Sequence, residues 1–126
     1  MMDSFSMDLN NTLENRQKQI DLALIFWSIK KYSNKLISEN GLEDKSRPLK
    51  SNIAKFENLL ASLNIKIVDY TNQKYNEGMN VDIIDTVKTD TSVDIIRETI
   101  EPSIIIEGNL VKKARVIKEI NGGENG

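Results

Sequence analysis

The chain has 126 residues, 17 basic against 19 acidic, a formal net charge of −2, and neither a cysteine nor a histidine. Without Cys there is no disulfide framework and no thiolate metal site, and without His as well the Ser–His and Cys–His nucleophilic machineries are excluded. The near-balance of charge gives no broad electrostatic footprint for nucleic acid. What remains is an intracellular, cytoplasmic protein, expected to be no enzyme and to need no metal or cofactor.

The length suits one domain, or a helical stem carrying a small β-unit. Met1 to Leu9 has neither the basic nor the apolar region of a secretory signal. The most apolar window, Ile20 to Ile29, contains Asp21 and is far shorter than the roughly 20 apolar residues of a membrane-spanning helix. No membrane partner is expected.

Residues 1–8 are expected to fray ahead of a long helix. From Leu9 to Glu39 there is no Pro or Gly, and Leu9, Leu13, Ile20, Leu24, Trp27 and Leu36 recur three, four or seven apart. That spacing predicts a helix over 9–39. Between Ile20 and Ile29 the apolar band widens to include Ala23, Ile25, Phe26 and Ile29, and a helix apolar nearly all round must be covered on every side. Self-association is the simplest cover; the β-module of the same chain is the other. Asn40-Gly41 supplies the helix stop, and Pro48 marks a loop or a second helix start. Residues 51–63 read as that second helix, with Ser51 or Asn52 as N-cap and Ile53, Phe56, Leu60 and Leu63 on one stripe. Two helices joined by a short loop form an antiparallel hairpin, half of a four-helix bundle in a homodimer. Ile20, Leu24, Trp27, Phe56 and Leu60 are its expected dimerisation contacts.

Helical character ends at residue 63. Residues 64–69 alternate and are β-branched, predicting a first strand. Tyr70 to Met79 is a turn-rich connection, and strands follow over 80–88, 93–100 and 104–107, with Pro102 as an interruption that cannot donate to a ladder. Ile104-Ile105-Ile106 and Leu110-Val111 flank Glu107-Gly108-Asn109, a tight hairpin signal, and 110–120 closes the sheet. The organisation is therefore α+β, with a helical stem over 1–63, a small all-β domain over 64–120 and a flexible tail over 121–126.

Candidate chemistry is sparse. Asp82, Asp85, Asp90 and Asp94 suggest a carboxylate cluster, but Asp82 and Asp85 are three apart, on opposite faces of a regular strand, and Asp90 sits in a turn. No phosphate-binding glycine motif exists, only isolated Gly78 and Gly108. Lys112, Lys113, Arg115 and Lys118 form the one basic patch; on a strand Lys113 and Arg115 share a face that Lys112 and Lys118 do not. A solvated edge protected from pairing by its lysines is one reading, a contact with an acidic protein surface another, and nucleic acid the least favoured.

The order of parts resembles a shortened GrpE-type nucleotide exchange factor, the partner of DnaK-type chaperones, whose helical stem dimerises and whose C-terminal domain is all β. Its β-domain ends in a run like N-G-x-V-L-R-P-A-x-V-x-V. Here Glu107 to Lys118 matches in register at Gly108, Leu110-Val111, Lys112, Ala114 and Val116, with Lys113 where the family has Pro. Upstream, Leu63 to Asp69 resembles the family's G-[VI]-x-x-[IV]-D strand, and Asn72 to Glu77 keeps Tyr75 of its G-x-x-[FY]-D-P step. The helical stem is shorter than the family's. The resemblance implies a β-domain that binds the ATPase domain of a DnaK-like chaperone and opens its nucleotide cleft so that ADP leaves. Tyr75, Gly78, Met79, Gly108, Lys112 and Arg115 are the implied contacts. A dimeric adaptor that tethers a partner without exchange activity is the alternative.

Overall fold

The computed structural model describes the backbone over residues 2–122 and side chains from residue 14 onward. The chain divides after Ile65 into two compact units, a helical one and a β one.

In the helical unit, α1 spans Met2–Glu39 and α2 spans Arg47–Ser62. At 38 residues α1 is about 57 Å long, and it starts seven residues earlier than the periodicity indicates. Leu9 and Leu13 lie outside the described side chains. The stop at Asn40-Gly41 is as expected: Gly41 takes φ +61°, and the Leu42 N–H returns to the Ile37 carbonyl at 3.0 Å, closing off the last turn.

The second helix begins four residues before the expected start. Neither Ser51 nor Asn52 caps it; both are inside α2. Ser46 holds the N-cap position, but its hydroxyl donates to the Glu43 carbonyl (2.9 Å) instead of capping. Pro48 in the first turn explains the early start, because a proline loses no helical bond there and its φ is already helical. At the other end Asn64 takes φ +60°, a left-handed conformation Asn tolerates, so it terminates the helix and is not part of the strand.

The two helices fold back on each other. The Phe26 and Phe56 rings stack with centroids 4.9 Å apart and 6° between planes, and Lys30 Nζ meets Glu57 Oε2 at 2.7 Å. Ala23, Phe26, Trp27, Ile37 and Leu60 are buried. The rest of the apolar band is not. Leu22, Ile25, Ile29, Tyr32 and Leu36 of α1, and Leu49, Phe56, Leu59 and Leu63 in and just after α2, are all substantially exposed.

The β unit contains six strands: β1 Ile65–Val68, β2 Val81–Thr89, β3 Ile95–Glu101, β4 Ser103–Ile106, β5 Asn109–Lys112 and β6 Ala114–Asn121. They form two three-stranded sheets, ordered β1-β4-β5 and β2-β6-β3. β6 is central in the second, antiparallel to β3 and parallel to β2. The outer edge of β3 is strapped by the preceding connection, where Asn72 and Tyr75 donate to the carbonyls of Ile96 and Asp94 (2.7 and 2.9 Å) and Ile96 donates to Gln73 (2.8 Å).

The single closing strand expected over 110–120 is two strands in different sheets, parted at Lys113. A side chain accounts for the break. The buried Ser103 hydroxyl accepts the Ala114 N–H at 2.9 Å, standing in for a ladder carbonyl where the chain leaves one sheet for the other. Ile96, Ala114 and Val116 form the innermost core, packed by Tyr70, Tyr75, Met79 and Val81. The Glu107-Gly108 turn has φ +52° and +81°, the pair of positive values that a two-residue hairpin of matching twist requires. Asn109, expected in the turn, opens β5 opposite Ile106. Asn121 belongs to β6 and the Gly122 N–H reaches the Thr89 carbonyl at 2.8 Å, so the tail cannot start at 121; residues 123–126 lie outside the described range.

Candidate functional site

The basic patch Lys112, Lys113, Arg115 and Lys118 sits where β5 gives way to β6 and along β6, and each of the four has an acid beside it. Glu101, at the end of β3, accepts from Lys112 Nζ at 3.1 Å and from an Arg115 guanidinium nitrogen at 3.4 Å. The hydrogen bond from Lys112 pulls the Glu101 carboxyl below the usual carboxylate range, with Arg115 helping and burial opposing. Lys113 meets Asp82 at 3.0 Å, and Lys118 meets Asp94 at 3.5 Å while its ammonium lies 4.1 Å from the centre of the Tyr75 ring.

This corrects the alternation expected for a continuous strand. Lys112 and Arg115, placed on opposite faces by that alternation, converge on one carboxylate because the chain breaks at Lys113 between them. A similar irregularity affects the acids. Ile83 and Asp85 of β2 pair with Val116 and Ile117, leaving Ile84 as an inserted residue, so Asp82 opposite Arg115 and Asp85 opposite Ile117 share a face. The two carboxylates nonetheless go separate ways: Asp82 to Lys113, and Asp85 to the N–H of Thr86 at 2.9 Å. Among the described residues no three acidic side chains gather as a metal site.

The other residues implied by the family resemblance have folding roles. Tyr75 and Met79 are half-buried against Ile96, Ala114 and Val116. Gly78 is exposed in a turn that the Met79 N–H closes on the Asn76 carbonyl (3.1 Å). Gly108 forms the β4–β5 hairpin tip. The structure therefore brings together Lys112 with Arg115, and Tyr75 with Met79. Glu101, Asp82 and Asp94, the acids that neutralise the basic patch, were not legible as its partners in the sequence; each is 12 or more residues away from at least one cation it meets, or on another strand.

The expected dimerisation residues also have places in the single chain. Trp27 and Leu60 are buried, Phe56 stacks on Phe26, and Ile20 and Leu24 are half-buried. Chemically, the β surface offers ion pairs, a cation–π contact and strand edges. Its one strongly placed carboxylate is held in the anionic form, which suits contact and not proton donation. No helix among the described residues is long and apolar enough to cross a membrane. No family model, curated protein or solved structure matches the chain.

Proposed function

We propose that the chain is a cytoplasmic GrpE-like co-chaperone, dimeric through its helical stem as a four-helix bundle, whose β unit binds the ATPase domain of a DnaK-like chaperone and promotes ADP release. The observation carrying this reading is the layout of the Glu107–Lys118 run within a helical-then-β chain. Gly108 sits in the positive-φ turn, and Ala114 and Val116 are fully buried. Lys113, which replaces the proline of the resembled run, is the one residue between β5 and β6 in neither strand, a position that suits proline. Exchange by this route is a shift in population: a partner that prefers the open nucleotide cleft stabilises it by its differential affinity and needs no catalytic side chain.

The test is release of a fluorescent ADP analogue from a DnaK-like ATPase of the same organism. Acceleration supports the reading, and an unchanged rate sinks it. A second reading, a dimeric adaptor without exchange activity, is favoured by the pairing of Lys112 and Arg115 with Glu101, of Lys113 with Asp82 and of Lys118 with Asp94, which leaves the basic patch neutralised from within. Stable binding to the ATPase with no change in nucleotide turnover selects it.

A further inference from the structure

The exposed apolar residues of α1 are not scattered. Leu22, Ile25, Ile29, Tyr32 and Leu36 follow one another at intervals of three, four, three and four, and are 41%, 60%, 53%, 56% and 60% exposed. That is the a/d seam of a coiled coil, maintained over two heptads. It is separate from the helix's buried face. At about 100° per residue the stripe is centred about 105° round the helix from the buried Ala23, Phe26 and Ile37. A seam with this repeat needs another helix carrying the same repeat, since each residue inserts between four of the facing helix. Phe26, at the e position beside the seam, stacks on Phe56, and that ring carries the apolar surface across to Leu59 on α2.

We infer that the seam is covered by the α1 helix of a second copy, running antiparallel about a two-fold axis near residue 27. The charges beside the seam choose this arrangement. The g positions flanking the stripe are Asp21, Ser28 and Lys35. In an antiparallel pair that layers Leu22 on Tyr32 and Ile25 on Ile29, each twice, g positions face g positions across the seam. Asp21 of each copy then meets Lys35 of the other, and the two Ser28 residues meet at the centre. Asp21 and Lys35 are both exposed, and Asp21 accepts a same-helix bond from Gln17 at 3.0 Å. A parallel pair sets g against e, opposing Asp21 to Phe26 and Lys35 to Asn40, with no opposite charges meeting. The antiparallel register shifted by one heptad sets Lys35 against Ser28, again without a counter-charge. Leu36 lies one layer beyond the paired block, over the aliphatic stem of Lys18. This inference rests on the self-association part of the proposed function and not on its chaperone partner.

The test uses the full chain, whose lack of cysteine makes any introduced thiol unique. Light scattering establishes the dimer, and pulsed electron spin resonance measures the distance between spin labels at Ser28→Cys and, separately, at Ser38→Cys. The antiparallel pair predicts a short distance at 28 and labels separated by about 33 Å along the axis at 38. Short distances at both positions overturn the orientation while leaving a dimer. A monomer at all concentrations overturns both the inference and the self-association on which it rests. As an independent arm, Asp21→Lys and Lys35→Asp should each weaken dimerisation about tenfold and the double exchange should restore it. Circular dichroism checks that each variant keeps its helix. Failure of the double exchange to recover dimerisation overturns the register.

Discussion

Replacing Ser103 by Ala tests why the closing strand is divided. Ser103 and Ala114 are both fully buried, and the Ser103 hydroxyl is the acceptor for the Ala114 N–H at 2.9 Å. The substitution removes an oxygen without creating a large cavity, so its main effect is to leave a buried backbone N–H without a partner. Such a group costs about 1–3 kcal/mol, equivalent to a loss of about 5- to 150-fold in the equilibrium that keeps the site closed. Hydrogen exchange of the Ala114 amide reads this directly, with the Val116 amide in the same strand as an internal reference. If the loss is local, protection at Ala114 falls more than at Val116; if the β unit opens as a whole, both fall together with the urea midpoint. Unchanged protection at Ala114 together with an unchanged midpoint would refute the role assigned to Ser103.

Other consequences can be measured in the same preparations. Ile96→Ala empties a fully buried position in the innermost core and should cost about 2–5 kcal/mol by urea denaturation. Gly108→Ala should cost about 1–2 kcal/mol through backbone conformation alone, because φ is +81° there and an added Cβ meets nothing within 4 Å; a neutral result would show that the turn adopts another conformation. Glu101→Gln should remove a contribution of at most about 1 kcal/mol, since the carboxylate is partly exposed. The folded-state carboxyl titrates lower than the unfolded one, so its contribution is complete at neutral pH, begins to be lost below the unfolded value of about 4.3, and disappears as pH falls through the folded value. Wild type and Glu101→Gln should therefore converge in stability as pH falls below the unfolded value, and a constant difference from neutral pH down to the lowest pH at which the protein stays folded would contradict the pairing. Lys112→Ala combined with Arg115→Ala should weaken binding to the chaperone ATPase at least fivefold with little change in the urea midpoint.

Much of this architecture could be read from local sequence. The Gly41 stop of α1, the Glu107-Gly108 turn and the interruption at Pro102 are set by near neighbours, and each is found close to where the sequence places it. α2 starts earlier than its apolar spacing indicates because Pro48 suits a loop and a first helical turn equally well. The parallel pairing of β2 with β6, the insertion at Ile84 and the division at Lys113 depend on partners far along the chain, so no window of sequence contains them. The convergence of Lys112 and Arg115 on Glu101 follows from that division and was hidden with it. On α1 two apolar series overlap in sequence: Ala23, Phe26 and Ile37, which are buried, and Leu22, Ile25, Ile29, Tyr32 and Leu36, which are not. Read together they look like a helix apolar all round; only their burial separates an intramolecular face from an uncovered seam.

The matched residues of the GrpE-like run divide in the same way. Gly108, Ala114 and Val116 are required by a turn and a core, whereas Lys112, the one basic residue shared with the resembled pattern, is half-buried in its ion pair with Glu101. A β unit can keep the first group for folding alone, so activity has to be measured at the partner. The most direct measurement is stopped-flow release of a fluorescent ADP analogue from a cognate DnaK-like ATPase, with and without the full chain. The account predicts that release accelerates with added protein and saturates, and that Lys112→Ala with Arg115→Ala shifts the half-saturating concentration upward. A release rate independent of the protein at every concentration contradicts it.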